Sequence, residues 1–225
     1  MLAHFDAYAT KKKALALYKQ IAESSDVAFA TLGAAYREVS MSFIERATHR
    51  YHLNTHLGVL EGMHQYARSV NGWKGARLSA AIQVLWDAGL RQEEFLSMTW
   101  LNIRLETGVL RVPGKPSREM PLSGTGVKLL NAWKQASPAP CASLVWVADS
   151  KGAVLPASTL WRQLKRAEPE GTPLELSLCG PTAFRAAFAK RCAQQGMPVE
   201  AIQRLLGHAQ LVSTYELLRQ MEPAG

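Results

Sequence analysis

The chain has 225 residues, of which 48% are hydrophobic and 20% are charged, a composition typical of a globular fold with a sizeable core. No apolar run approaches the roughly 18 residues of a membrane span, and the N-terminal residues lack the apolar segment and cleavage site of a secretion signal. Lys and Arg number 26 against 18 Asp and Glu, giving a formal net charge of +8. This balance favours a polyanion as partner, although solubility alone could account for part of it.

The cysteines indicate neither a disulfide framework nor a metal site. There are three of them, Cys141, Cys179 and Cys192, and none shows the close pairing of metal ligands. We therefore expect buried, reduced thiols in a cytoplasmic protein.

The first 52 residues predict a helical segment. One helix is expected over residues 6–23, and residues 24–26 are a suitable break and N-cap before a second helix. The apolar residues of that second helix recur at spacings of three and four, which places them on one face: Phe29, Leu32, Tyr36, Val39 and Phe43.

From residue 53 onward the apolar pattern predicts helices, then a short sheet, then helices again. The first helices are expected over residues 57–66, 78–88 and 92–99, with a chain reversal at residues 71–75 that begins with Asn71-Gly72. Apolar runs near residues 103–105, 109–112 and 120–122 predict a three-stranded antiparallel sheet, because turns with Gly and Pro separate them. The later helices are expected over residues 126–135, 158–166, 182–195, 198–206 and 213–221.

The predicted fold class is therefore mainly α with a small antiparallel β-sheet (α+β). We expect two parts, a two-helix N-terminal segment at residues 1–52 and a larger domain at residues 53–225.

Three stretches of the larger domain resemble one known family. Residues 88–95 (AGLRQEEF) are similar to the first arginine box of the tyrosine recombinases of the phage-integrase type. Residues 112–123 (VPGKPSREMPLS) resemble the hairpin that presents the family's lysine, here Lys115. Residues 184–208 (FRAAFAKRCAQQGMPVEAIQRLLGH) resemble the second arginine box running into its Leu-Gly-His end. The resemblance implies the recombinase catalytic-domain fold at residues 53–225, preceded by a truncated core-binding-like segment.

The chemistry that the resemblance implies is phosphoryl transfer on double-stranded DNA. In the family a tyrosine hydroxyl attacks a phosphodiester and forms a 3′-phosphotyrosine, with neither metal nor nucleotide cofactor. By resemblance, Arg91 and Arg185 would bind the phosphate oxygens bidentately. His208 would donate a further hydrogen bond, and Lys115 would protonate the leaving oxygen as general acid. These four residues are the candidate catalytic and DNA-phosphate-binding residues.

Each candidate has a simpler interpretation. Arg91 and Arg185 could be surface or ion-pair arginines, and Lys115 could be a solvated turn lysine. His208, which follows Gly207, could cap the end of its helix. Glu94, which the family uses beside its first arginine, could buttress Arg91 or be exposed.

Two positions depart from the family pattern. Thr182 stands where the family has the histidine of its His-x-x-Arg motif, and Leu217 stands at the position of the nucleophilic tyrosine. The nearest tyrosine is Tyr215, which would point about 200° away from Leu217 on a helix. Tyr215 could reach the site through a shorter loop or could pack on the domain surface.

Three functions follow as hypotheses. The first is a catalytically inactive DNA-binding protein, a regulator or accessory factor that is associated with the nucleoid in the cytoplasm, for which a homo-oligomer on DNA is an open alternative to a monomer. The second is an active site-specific recombinase with Tyr215 as nucleophile. The third is a protein-interaction module whose basic surface is incidental.

Overall fold

The computed structural model describes residues 56–114 and 117–219. Its helices are α1 (His56–Ser69), α2 (Trp73–Ala88), α3 (Gln92–Leu96), α4 (Gly124–Ala136), α5 (Ala157–Ala167), α6 (Pro181–Gln194), α7 (Val199–Leu206) and α8 (Leu211–Arg219). Its strands are β1 (Ile103–Arg104), β2 (Val109–Val112) and β3 (Arg118–Pro121). The predicted fold class, mainly helical with a small antiparallel sheet, is confirmed. The predicted two-helix segment at residues 1–52 lies outside the described residues.

The three strands form one antiparallel sheet in the order β1-β2-β3. Leu110 of β2 pairs with Ile103 on one side and with Met120 on the other, and Val112 pairs with Arg118. Side chains alternate between the faces of a strand, and the faces differ here: Leu110 and Met120 are buried, whereas Arg111 is exposed.

The core is built around α2, which is buried along nearly its whole length and contacts α1, α4 and α6. Large aromatic side chains fill the space around it, and Phe95 stacks on Trp146 with ring centroids 4.4 Å apart. Trp133 and Phe184, from α4 and α6, are fully buried. These contacts fix the loop after α2 and the start of α6, which carry the two arginine boxes. In the described part of the chain, no helix has the length and apolar character that crossing a bilayer requires.

The first helix boundaries differ from the prediction. Helix α2 begins at Trp73, inside the predicted reversal, because Gly72 alone makes the turn with φ +71°. Gly75 lies so close to the preceding turn that a Cβ there would come within 2.0 Å of the Val70 oxygen. Helix α3 ends at Leu96 rather than at residue 99, because Met98 accepts a hydrogen bond from the N–H of Val145 at 2.9 Å.

The prediction of buried thiols holds for one cysteine of three. Cys192 is buried, Cys179 is partly buried and Cys141 is exposed, and all three are free. Cys141 is exposed because it lies in the loop between α4 and α5 rather than in an element of the core.

Candidate functional site

The two predicted arginines meet at the C-terminal end of α7. Arg91 donates from Nη2 to the Gly207 oxygen at 2.7 Å. Arg185, which is buried, donates from Nη2 to the Leu206 oxygen at 2.5 Å and from Nη1 to the Gly89 oxygen at 2.9 Å. The last carbonyls of a helix lack partners within it and carry partial negative charge, so guanidinium groups bind well there.

Glu94 and Arg118 complete the cluster. Arg118 binds Glu94 bidentately: its Nη1 donates to Oε1 at 2.8 Å, and its Nη2 donates to Oε2 at 2.7 Å. Glu94 Oε2 also accepts the backbone N–H of Arg91 at 2.8 Å, and Oε1 lies 3.8 Å from Arg91 Nη1. Glu94 therefore buttresses Arg91, one of the two roles expected for it. Burial raises the pKa of Glu94, but the hydrogen bonds from Arg118 and Arg91 outweigh it and hold the pKa below its usual range.

The charges of this cluster do not balance. Three guanidinium groups, those of Arg91, Arg118 and Arg185, face one carboxylate, that of Glu94, which leaves an excess of two positive charges among these described residues. Burial lowers the pKa of Arg185 to about 10, and the charges of Arg91 and Arg118 contribute, so the group stays protonated at neutral pH. Planar guanidinium groups in excess over carboxylates suit an oxyanion such as a phosphate.

His208 joins the cluster from the turn after α7. Its backbone N–H donates to the Gln203 oxygen at 3.1 Å, and Gly207 adopts φ +64°, so the residue does help to end the helix. Its ring has a separate partner, because Nδ1 lies 2.9 Å from Thr214 Oγ1. Burial lowers the pKa of His208 to about 4, and the charges of Arg185, Arg91 and Arg118 act in the same direction. The ring is therefore neutral at pH 7.

We expect the titration of His208 to report an anion at the site. The folded-state pKa lies below the unfolded value of 6.5, so the unfolded chain binds more protons between these values. The stability that depends on neutral His208 is thus complete above pH 6.5 and is lost as the pH falls toward 4. A phosphate among the arginines would offset their charge and raise the pKa of His208, as NMR of the ring Cε1–H would show.

His56 is the matched control for that titration. Burial lowers its pKa to about 4 as well, but the charges that contribute are those of Lys190 and Arg191, outside the cluster. Addition of phosphate should leave the pKa of His56 unchanged, and an equal rise at both histidines would contradict a specific site.

Helix α8 carries Leu217, which the resemblance places where the family has its tyrosine, and Leu217 has no hydroxyl. On α8, Thr214 is buried and bonded to His208, and Leu217, one turn further, packs against the core. Tyr215 lies on the other side of the helix and is 53% exposed. Within the described part of the chain, Tyr215 makes no side-chain hydrogen bond.

Of the remaining predicted positions, Thr182 makes no hydrogen bond to the cluster within the described residues. Thr182 is exposed in the first turn of α6, three residues before Arg185. Lys115 lies outside the described residues, so its role as general acid stays a prediction.

Arg118 is the site residue that the sequence analysis missed. Side chains two residues apart on a strand point the same way, so Arg118 shares a face of β3 with Met120. Met120 is fully buried. An arginine on the buried face of a strand needs a carboxylate partner, and that alternation is the signal that could have identified it.

Comparisons with known proteins identify the family and the fold. The model of the phage integrase family matches residues 59–219. The chain is 33% identical over 147 residues to the tyrosine recombinase XerD of Pseudomonas putida, a match that covers 62% of this chain and 48% of that protein. The chain spans about half the length of the curated relatives it matches.

Solved recombinase structures share the fold. XerA recombinase superimposes with a TM-score of 0.59 at 19% identity, covering 75% of this chain and 62% of that one. The integrase of the Tn1549 transposon, in complex with circular intermediate DNA, gives a TM-score of 0.57 at 17% identity, covering 93% and 80%. The fold is thus that of these recombinases, and the family model matches most of the chain, so the chain belongs to the phage integrase family of tyrosine recombinases.

Proposed function

We propose that this chain binds double-stranded DNA through backbone phosphates at the arginine cluster and does not cleave it. The observation that carries the proposal is the combination of uncompensated guanidinium groups with Leu217 at the nucleophile position. The chain would act as a regulator or accessory factor, associated with the nucleoid in the cytoplasm and able to form a homo-oligomer on DNA.

The donors of the cluster support phosphate binding. A guanidinium group has five N–H donors. In Arg185, each terminal nitrogen donates one N–H to a backbone carbonyl and has a second N–H that can donate to a phosphate. The Arg91 side chain is 45% exposed and spans the edge of the cluster. Phosphate contacts of this kind supply much of the affinity of proteins for DNA and are independent of sequence. Lys115, three residues before Arg118, would add a further phosphate contact from the hairpin.

The absence of cleavage rests on two side chains. Leu217 has no nucleophilic atom, and the hydroxyl of Thr182 does not act as a base near neutral pH. General acid–base groups contribute about 10² to 10⁴ to enzymatic rates, so the loss of one slows the reaction, whereas the loss of the nucleophile stops it.

Active strand exchange through Tyr215 is the second candidate. It is favoured by the position of Tyr215 directly after Thr214, whose hydroxyl bonds to His208. A partial unwinding of α8 would turn the phenol toward the arginines, and DNA binding could drive that change.

A covalent-trapping experiment separates the two candidates. The wild-type protein and the Tyr215→Phe variant are incubated with DNA fragments from their own locus, and each sample is run on native and on SDS gels. We expect a native shift in both proteins that SDS abolishes. An SDS-resistant band in the wild type that disappears in Tyr215→Phe would overturn the proposal in favour of an active recombinase.

A further inference from the structure

We propose that Arg118 is a positioning residue that neutralises Glu94 and thereby leaves Arg91 available to a phosphate. The inference rests on the proposed phosphate binding and adds a residue to it. Without Arg118, the carboxylate of Glu94 would have Arg91 as its nearest cation and would compete with the phosphate for it.

The distances from Glu94 to the two arginines support this inference. Both oxygens of Glu94 accept from Arg118 within 2.8 Å, whereas the guanidinium of Arg91 lies 3.8 Å from Oε1. Side-chain exposure follows the same pattern, with Glu94 at 13% and Arg118 at 10% against 45% for Arg91. The carboxylate of Glu94 is thus paired closely with Arg118, whereas the more exposed Arg91 is only loosely paired with it.

Arg118 also contacts the turn that holds Arg91. A Cβ on Gly207 would come within 2.8 Å of Arg118 Nη1, and the Gly207 oxygen accepts the hydrogen bond from Arg91 Nη2. The side chain of Arg118 therefore lies between the carboxylate and the α7 turn, where it can orient both partners of Arg91. Because Arg118 is the first residue of β3, the same ion pair ties this strand to the cluster.

Charge substitution in pairs tests the inference. The proteins are wild type, Arg118→Gln, Glu94→Gln, the double variant Glu94→Gln/Arg118→Gln, and Arg91→Ala as the reference for a lost phosphate contact. Duplex affinity is measured as a function of salt concentration, and the melting temperature of each variant without anion reports folding. Stabilisation by inorganic phosphate is measured in parallel as a second anion readout.

We expect Arg118→Gln to resemble Arg91→Ala, with duplex affinity reduced about tenfold and the salt slope flattened by about one unit. The double variant should recover affinity to within about twofold of wild type, because it contains neither the competing carboxylate nor its partner, an effect of the size measured for coupled pairs. A direct phosphate contact from Arg118 gives no such recovery, and a purely structural role would instead make affinity follow the melting temperature measured without anion across the variants. A double variant that binds as weakly as Arg118→Gln would therefore overturn the inference.

The two readouts keep this inference separate from the proposed function. If the wild type does not bind duplex but phosphate stabilises it with the same pattern across the variants, DNA binding fails and the role of Arg118 stands. If the wild type binds duplex and the double variant shows no recovery, the role of Arg118 fails and DNA binding stands. If neither anion affects the wild type, both are overturned.

Discussion

Replacing Arg185 with alanine is expected to lower the free energy of unfolding by about 3 kcal/mol, because two charged hydrogen bonds, each contributing about 1.5–3 kcal/mol, are lost from a buried site. Relief of the repulsion from Arg91 and Arg118 returns part of that loss. The carbonyls of Gly89 and Leu206, both on buried residues, would be left without their partner. For a chain of this size the melting temperature should fall by about 10 °C, measurable by differential scanning calorimetry.

Arg204→Ala is the matched control, because it removes the same charge from an exposed position on α7. Its free energy of unfolding should stay within about 0.5 kcal/mol of wild type. Arg185→Lys should fall between the two, since one ammonium group does not reproduce the planar fork that spans both carbonyls. Equal melting temperatures for Arg185→Ala and Arg204→Ala would contradict the structural role.

If the wild type binds DNA without cleaving it, as proposed, introducing a tyrosine at position 217 is expected to create DNA-cleaving activity. Leu217 lies one turn from Thr214, whose hydroxyl bonds to His208, so a phenol there would belong to the face of α8 that meets the cluster. Leu217→Tyr should give an SDS-resistant adduct with DNA fragments from the protein's own locus. Accumulation should be slow, because Thr182 supplies no acid–base group and such groups contribute about 10² to 10⁴ to rates.

Leu217→Phe is the control for that experiment, since it adds the same ring without the hydroxyl. It should bind DNA like Leu217→Tyr and form no adduct. An adduct in Leu217→Phe or in the wild type would mean that another nucleophile, Tyr215 first of all, is in use. The absence of an adduct from a folded Leu217→Tyr that binds DNA would show that the cluster itself lacks catalytic competence.

The order of helices and strands could be predicted from the sequence because the core-facing residues of each element recur at a local period. The predicted helix boundaries are wrong where contacts outside the helix determine its first or last residue. The end of α3 depends on the pairing of residues 98–99 with residues 144–145, and no pattern within α3 indicates that contact. The start of α2 depends on the close approach of Gly75 to the Val70 oxygen, which a turn signal alone does not specify.

The candidate site was likewise predictable only in part from the sequence. The resemblance of the arginine boxes to the family predicted Arg91, Arg185 and His208, and the structure brings these residues together at the end of α7. The partners of these residues are properties of the tertiary structure: the Glu94–Arg118 pair spans 24 positions and the Arg185–Gly89 contact spans 96. Burial of Arg185 follows from the packing of α6 on α2, so its structural role, alongside the anion binding proposed for it, was not evident from the motif.

The structural role of the two arginines affects how sequences of this family evolve. A lineage that abandons DNA cleavage would remain under selection for Arg185, and less strongly for Arg91, because their hydrogen bonds stabilise the last turn of α7. The arginine boxes are then poor markers of enzymatic competence. Exposed positions that do not stabilise the fold, such as Thr182, would accumulate substitutions in a lineage that no longer cleaves DNA, and they would be better markers of its activity.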